Sequence, residues 1–328
     1  MIEEIASDFY RIEIPLPDTL LKFVNSYLIR DSERNLIIDT GMYNDECLNA
    51  MQAALKKLDI NLKKTDFFIT HCHGDHIGLV TRLIQEGSIV YMNKLDTQII
   101  SKIKTGAILS EIRTLLHLSG FPEKNPEKIL PPRVKDEFKF RDILPFKFID
   151  DADIIEAGGY LFTCVTTPGH SRGHTCLYEA GKKIFIAGDH ILKNITPGIQ
   201  GRVTDENPLK DYLDSLDKVY ALDINTVLPG HRAIFSNCRK RIDEIKKHHR
   251  QRNDEVLAIL QEGSVNIYEV ASRMTWNVDC DSWDSFPVVQ SFFATGETFA
   301  HLRYLEETGE LTMNTKEQVA MYRLSRAL

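Results

Sequence analysis

Apolar and polar residues alternate or run together in short segments along the first 93 residues, a pattern that is typical of β-strands. The clearest of these segments are residues 9–14, 25–29 and 36–38. Between residues 44 and 58 the apolar positions recur at helical spacing, which predicts an amphipathic helix packed against a sheet. Its predicted buried face consists of Cys47, Leu48, Met51, Ala54 and Leu55. A second series of strand-like segments lies between residues 146 and 228, so the pattern predicts a mixed α/β fold.

The segment from about residue 93 to 145 separates the two strand-rich series and differs from both. Helical spacing predicts helices at residues 95–104 and 108–118, and glycine and proline residues that interrupt regular structure follow them. The segment is longer than a connection between two strands requires. We therefore predict a helical insertion at this point of the chain.

The residues after 235 have two further patterns. Basic residues dominate from 236 to 252, which predicts a helix with a solvated, charged face. Helical spacing then continues and is followed by a predicted short hairpin at 310–324. The predicted helices of this part are residues 254–261, 267–274 and 292–308. The predicted organisation is a first domain at residues 1–235 with the insertion at about 93–145, a connecting basic helix at 236–252, and a small, mostly helical domain at 253–328.

Composition places the chain among ordinary globular proteins. Its 328 residues are 43% hydrophobic, which is enough for a full core and for two domains. No apolar run approaches the roughly 18 residues of a membrane-spanning helix, and the acidic start Met1–Glu4 lacks the basic region of a signal segment. The six cysteines show no CxxC spacing. We expect a cytoplasmic protein with reduced thiols and no membrane contact.

Charge is distributed unevenly along the chain. Twelve acidic and five basic residues lie between 253 and 328, and they account for the whole net charge of −7. An acidic segment of this kind repels phosphate groups, so it disfavours nucleic acid as a partner of the C-terminal part. The acidity favours packing or dimerisation of this part over DNA binding, so a homodimer is a candidate assembly.

Four potential metal ligands directly follow an apolar strand-like run: His71, His73, Asp75 and His76. Such a cluster is a poor way to build a core, because each polar group would need its own buried partner. A metal ion supplies that partner. Strand geometry places the first two histidines on one face, and Gly74 allows the backbone to turn and direct the other two ligands elsewhere. The spacing therefore predicts two adjacent ion positions.

This HxHxDH motif resembles that of the metallo-β-lactamase superfamily of hydrolases, and four further segments resemble its other motifs in the family's order. These segments are Leu36–Gly41, Thr167–His174, Ile184–Asp189 and Val227–His231. The resemblance implies one metal ion on His71, His73 and His170, a second ion on Asp75, His76 and His231, and Asp189 as the bridging ligand. It also implies that Asp39 supports the metal centre by contacting the ligands, without binding an ion itself.

The donor atoms of these residues are nitrogen and carboxylate oxygen, which suit zinc and also iron or manganese. We expect two divalent metal ions, with zinc as the leading choice. The expected nucleophile is a hydroxide that bridges the ions. Asp75 is the predicted catalytic residue, because it is placed to hold the attacking water and accept its proton. For His174, the second histidine of the PGHxxGH element, we expect a hydrogen bond near the site.

The same resemblance implies an αββα four-layer sandwich, in which two sheets pack face to face between outer helices. The insertion is expected to arch over the metal cleft, with Leu115, Leu118 and Phe121 lining part of a substrate pocket. Gly296–Leu305 resembles part of a C-terminal module that is attached to some hydrolases of this fold, which implies a winged-helix-like domain.

Three functions fit these observations. The first is hydrolysis of a small ester, thioester or lactone, similar to glyoxalase II. The second is a metal-dependent ribonuclease or phosphodiesterase, which the basic helix supports and the acidic tail opposes. The third is a mono-iron oxygenase similar to persulfide dioxygenases. Metal content and a small substrate panel separate them, and a small acyl compound is the expected substrate.

Overall fold

The computed structural model describes residues 1–17, 19, 21–129, 144–203, 206–278, 280 and 282–325. The chain forms two compact units. The first consists of Met1–Lys104, Arg133–Pro197 and Ser215–Ile242, and the second of Thr105–Pro132, Gly198–Asp214 and Asp243–Leu328. The limits of these units differ from the predicted domain limits at residues 235 and 252.

A seven-stranded sheet forms from the first strand-rich series. Its strands are β1 (Ile2–Ala6), β2 (Phe9–Leu16), β3 (Lys22–Ile29), β4 (Asn35–Ile38), β5 (Thr65–Phe68), β6 (Val90–Asn93) and β7 (Phe146–Ile149), which lie in sequence order. Strands β1 to β4 pair antiparallel, and β4 to β7 pair parallel. Strand β5 is buried along its whole length, which brings the following ligand motif to the end of an interior strand.

A five-stranded sheet forms from the second series. Its strands are β8 (Ile154–Ala157), β9 (Tyr160–Thr166), β10 (Thr175–Glu179), β11 (Ile184–Gly188) and β12 (Thr226–Pro229), and their order in the sheet is β12-β11-β10-β9-β8. Strands β11 and β12 are parallel, so both of their carboxyl ends reach the same edge of the sheet. The motifs that end these two strands carry Asp189 and the last predicted histidine ligand, His231.

The two sheets face each other across one hydrophobic core. Phe9 from β2 packs edge-on against Tyr160 from β9, with 5.4 Å between ring centroids, and Phe162 lies beside both. A second core lies on the other face of the first sheet, beneath four helices. These helices are α1 (Asp45–Lys57), α2 (Gly74–Ile77), α3 (Val80–Leu83) and α4 (Lys94–Thr105). The five predicted apolar residues of α1 are all buried.

The second sheet is also covered by helical residues. Helix α7 (Pro208–Tyr220) contributes Ser215, whose hydroxyl donates to the carbonyl of Pro168, and Lys218, whose ammonium group donates to the carbonyl of Thr166. Two facing sheets flanked by helices confirm the predicted αββα architecture.

The second unit combines helices with a small sheet. Its elements include α5 (Ala107–Leu118), α6 (Pro126–Ile129), most of α8 (Cys238–Leu260), β13 (Val265–Asn266), α9 (Ile267–Arg273), α10 (Val288–Glu307), β14 (Leu311–Lys316) and β15 (Val319–Leu324). The sheet order is β13-β15-β14, and β14 and β15 form the predicted hairpin. A mostly helical C-terminal module is therefore present, and the winged-helix assignment stays a prediction.

One hydrophobic core explains the limits of the second unit. Leu116 and Phe121 from the insertion pack in the same buried cluster as Val256, Phe299 and Tyr322. The predicted insertion therefore supplies residues to the core of the C-terminal module. Phe121 is only 2% exposed, so its main contribution is to this packing. The predicted limit at residue 252 also falls inside α8, which continues without a break to Leu260.

Among the helices of the described residues, none is long and apolar enough to cross a lipid bilayer.

Candidate metal centre

The HxHxDH motif lies where β5 ends and α2 begins. His71 and His73 belong to the short connection, and His73 is the residue that caps the amino end of α2. Asp75 and His76 lie in the first turn of that helix, after Gly74. The strand-to-helix turn thus points the side chains of His71 and His73 in one direction and those of Asp75 and His76 in another. The position of Gly74 predicted this change of direction.

His71, His73 and His170 form the first group of ligand candidates. The Nδ1 atom of His73 lies 3.0 Å from Nε2 of His71 and 3.1 Å from Nε2 of His170. Tetrahedral coordination by nitrogen at about 2.0–2.1 Å separates ligand atoms by about 3.3 Å. The three nitrogens are therefore close to the spacing that one ion requires. His71 is fully buried and His73 is exposed, so this group is open to solvent on one side.

Asp75, His76 and His231 form the second group. The Oδ2 atom of Asp75 lies 3.3 Å from Nε2 of His231 and 3.9 Å from Nε2 of His76. Both histidine side chains are completely buried, whereas the Asp75 side chain is 19% exposed. The carboxylate of Asp75 therefore lies on the side of this group that solvent reaches.

Asp189 lies between the two groups. Its Oδ2 atom is 3.7 Å from Nε2 of His170 and 3.4 Å from Nε2 of His231, and its Oδ1 atom is 3.6 Å from Nε2 of His76. One carboxylate thus approaches ligand candidates of both groups, which is the position that the resemblance implied for a bridging ligand. The structure brings all seven predicted ligand candidates into one cluster.

Hydrogen bonds to the outer ring nitrogens fix which nitrogen of each buried histidine faces the cluster. Nδ1 of His71 pairs with the hydroxyl of Thr70, Nδ1 of His76 pairs with Asp39, and Nδ1 of His231 pairs with the carbonyl of Phe23. Since each Nδ1 carries the proton in the neutral form of such a ring, each Nε2 can offer its lone pair to an ion in the cluster. This arrangement is typical of histidines that bind metal.

Three buried atoms of the cluster test whether the residues fit a metal ion. Within the described parts of the chain, Nε2 of His76, Nε2 of His231 and Oδ1 of Asp189 have no hydrogen-bond partner. Buried polar atoms without a partner are costly, and several in one place indicate a binding site for an ion. The nitrogen and oxygen donors, their spacing and these unsatisfied atoms all fit divalent cations.

The charges of the cluster are strongly coupled. Burial disfavours the protonated form of His76, but Asp39, Asp75 and Asp189 outweigh it and raise the pKa to about 9. Burial also disfavours the ionised form of Asp189, but His231 and His76 hold its pKa well below the usual range. Burial lowers the pKa of His71 well below the ordinary value, and the neighbouring histidines His76 and His73 lower it further. Divalent cations would replace the protons of this cluster.

Asp39 supports the motif from behind, as the resemblance implied. Its Oδ1 atom accepts the backbone N–H of Thr70 at 2.9 Å, and its Oδ2 atom accepts the Thr70 hydroxyl and Nδ1 of His76 at 2.8 Å each. The residue adopts a positive φ of 56°, which aspartate tolerates better than most side chains. One carboxylate therefore orients both ends of the strand-to-helix turn.

The substitution Asp39→Asn is expected to weaken metal binding at the second group about 10- to 100-fold, because an amide cannot accept all three hydrogen bonds. Metal titration against a competing chelator measures this change. A matched control is Asp66→Asn, which alters another buried carboxylate that is bonded to the backbone N–H of Ile89 and to Arg34. Equal metal affinity in the wild type and Asp39→Asn would contradict the assigned role.

His174 makes the hydrogen bonds that were expected near the site. Its Nε2 atom accepts the backbone N–H of Asp189 at 3.1 Å, so its Nδ1 carries the proton and donates to the hydroxyl of Thr167 at 2.8 Å. Burial lowers the pKa of His174 well below its ordinary value, which keeps this neutral tautomer. His174 thus positions the backbone that carries the bridging carboxylate.

Sequence reasoning did not identify the residues that hold the His231 turn. The side-chain amide of Asn25 donates to the carbonyls of Pro229 and Arg232, and the hydroxyl of Tyr27 donates to that of Pro229 at 2.7 Å. Both residues lie on β3 in an apolar strand pattern that gave no functional signal. Gly230 is needed for space, since a Cβ atom there would lie 2.5 Å from Oδ1 of Asp189.

Comparison with known proteins places this cluster in a family context. Residues 20–231 match the family model for the metallo-beta-lactamase superfamily. The crystal structure of a metallo-beta-lactamase family protein from Thermus thermophilus is similar, with 26% identity and a TM-score of 0.81, over 98% of this chain and 99% of that chain.

Several similar curated proteins are named as thioesterases, and two of them show the range of carriers. The human acyl-coenzyme A thioesterase MBLAC2 is 25% identical over 230 residues, which are 64% of this chain and 74% of that protein. The atrochrysone carboxyl ACP thioesterase AacuM of Aspergillus aculeatus is 24% identical over 241 residues, which are 73% of this chain. The match spans 60% of that protein's length.

Proposed function

The chain belongs to the metallo-beta-lactamase superfamily, and on that basis we propose that it is a dinuclear metal-dependent hydrolase of small acyl thioesters. The observation that carries the proposal is the convergence of seven ligand candidates, with one aspartate between two groups of three. A structural metal site is closed by four protein ligands. Seven ligands shared by two ions leave open positions, as a catalytic centre requires.

The thioester class is supported by the relatives. Several similar proteins are named as thioesterases, for coenzyme A in one case and for an acyl carrier protein in the others. The scissile bond is the same in both cases, although the carriers differ greatly in size. We therefore assign the chemistry to the acyl–sulfur bond and leave the carrier to experiment. The acidic tail disfavours RNA as the substrate.

The donor set suits zinc, and iron or manganese are compatible with it. Two divalent ions held by these seven residues would lower the pKa of a bound water toward neutrality and polarise the substrate carbonyl. The protein's own contribution to proton transfer comes from Asp75. Its carboxylate lies on the solvent side of the cluster. At this position it would hold the attacking water and accept its proton. As the acyl–sulfur bond breaks, that proton would pass to the sulfur of the leaving thiolate.

The direct test combines metal analysis with a substrate panel. Protein reconstituted separately with zinc, iron and manganese is assayed on a short acyl-coenzyme A, a simple thioester, a lactone and RNA. We expect two ions per chain and thioester turnover that a chelator abolishes and metal restores. Salt-sensitive RNA cleavage without thioester turnover would favour the phosphodiesterase alternative. A single iron with oxygen uptake would favour the oxygenase.

A further inference from the structure

A buried carboxylate outside the ligand set connects the two loops of the first metal group. Asp96 lies in the first turn of α4 and is completely buried. Its Oδ2 atom accepts the backbone N–H of Cys72 at 2.9 Å and the hydroxyl of Ser171 at 2.6 Å. Its Oδ1 atom accepts the backbone N–H of Gly173 at 2.6 Å. A buried carboxylate is tolerated only with such a set of donors.

The three donors to Asp96 lie close in the sequence to ligand candidates of the first metal group. Cys72 lies between His71 and His73, and Ser171 directly follows His170. The carboxylate therefore holds the backbone on both sides of the gap that the first ion must fill. The two loops are about a hundred residues apart in the sequence, and Asp96 bonds to both.

Close packing restrains the loop that carries His170 relative to Asp96. A Cβ atom at Gly173 would lie 2.7 Å from Oδ1 of Asn93 and 2.9 Å from the backbone nitrogen of Asp96. Asn93 in turn accepts the backbone N–H of Leu95 at the start of α4. The loop that carries His170 is thus pressed against the junction of β6 and α4, and Asp96 is fixed by that junction.

We propose that Asp96 is a positioning residue that sets the distance between His170 and the pair His71 and His73, and thereby controls the affinity of the first metal group. The second group depends on other supports, because His76 is oriented by Asp39 and His231 by the carbonyl of Phe23. The proposal rests on the proposed function only in that divalent ions bind here. It does not depend on which bond is hydrolysed.

The test is the affinity of each group for cobalt(II), measured by absorption spectroscopy in competition with a chelator. His170→Ala and His231→Ala supply reference spectra in which one group is disabled. In Asp96→Asn we expect about 10- to 100-fold weaker binding at the first group. Binding at the second group should change less than about threefold.

Ser171→Ala removes one hydrogen bond to Asp96 and is the milder variant. It should weaken the first group by a smaller factor, and its effect should be non-additive with Asp96→Asn, since both changes break one network. If Asp96→Asn does not fold, Ser171→Ala decides the question, and unchanged first-group affinity in it overturns the proposal. Asp66→Asn is the control for loss of a buried carboxylate elsewhere in the same unit.

Two results would overturn the proposal for a folded Asp96→Asn variant. One is equal weakening of both groups, and the other is normal cobalt binding with only the stability loss that Asp66→Asn shows. Failure of the proposed function has a different signature. Wild-type protein would then bind two ions but not hydrolyse thioesters, and the difference between Asp96→Asn and wild type would still be measurable.

Discussion

Replacing Asp75 with asparagine is expected to lower thioester turnover by about 100- to 10,000-fold, the range that general acid–base groups contribute. The variant keeps an oxygen at the same position but loses the negative charge that accepts a proton. Because Asp75 is also a ligand candidate of the second group, the assay is run at saturating metal, and metal content is measured in the same sample. The quantity to compare is kcat per metal-loaded chain.

The accompanying measurements separate chemistry from folding. Thermal unfolding of metal-loaded Asp75→Asn should resemble that of the wild type, since the Asp75 side chain is partly exposed. Asp66→Asn should keep near-normal turnover, because this carboxylate lies near the start of β5, whose other end leads to the ligand motif, and it bonds to Arg34 and to the backbone N–H of Ile89. Near-normal kcat in a folded, metal-loaded Asp75→Asn variant would remove Asp75 from the mechanism.

The substitution Asp189→Ala is expected to impair both metal groups at once. Its carboxylate lies within 3.7 Å of nitrogens from His76, His170 and His231, so its removal takes a ligand candidate from each group. The loss of metal affinity should exceed the roughly 100-fold upper range for residues that only orient a ligand. Turnover at limiting metal should fall at least as far.

Metal stoichiometry and chelator competition measure this effect. The matched control is Glu179→Gln, which changes another buried carboxylate of the same sheet that accepts the backbone N–H of Lys182. If Asp189→Ala lost only one ion and bound the other with wild-type affinity, Asp189 would belong to a single group and the bridging assignment would be wrong.

Much of the first unit was predictable because its elements have strong local signals. Helix α1 has five buried residues at helical spacing and an Asn44 cap that accepts the backbone N–H of Cys47. The ligand motifs follow apolar strands, and strands of this kind end at a common edge. The seven ligand candidates therefore meet where the sequence predicted them, while their roles and the glyoxalase II-like branch stay predictions.

What escaped prediction depends on contacts between distant parts of the chain. Strand β1 is partly exposed and contains Glu3 and Glu4, so its apolar pattern is weak, and its pairing with β2 identifies it. Asp96 lies in an ordinary amphipathic helix, and only the fold shows that its carboxylate meets Cys72 and Ser171. Likewise, no local signal indicates that the ring of Phe121 packs edge-on against that of Phe292.

The division of the ligands between two sheets has a consequence for biosynthesis. The first sheet supplies His71, His73, Asp75 and His76, while Asp189 and His231 come from the ends of β11 and β12. When only the first sheet has been synthesised, the chain offers an ion only part of the ligand set. We expect such a partial site to bind metal weakly. We therefore expect tight metal binding only after both sheets have been synthesised, and ions bound at that stage would link the two halves of the sandwich.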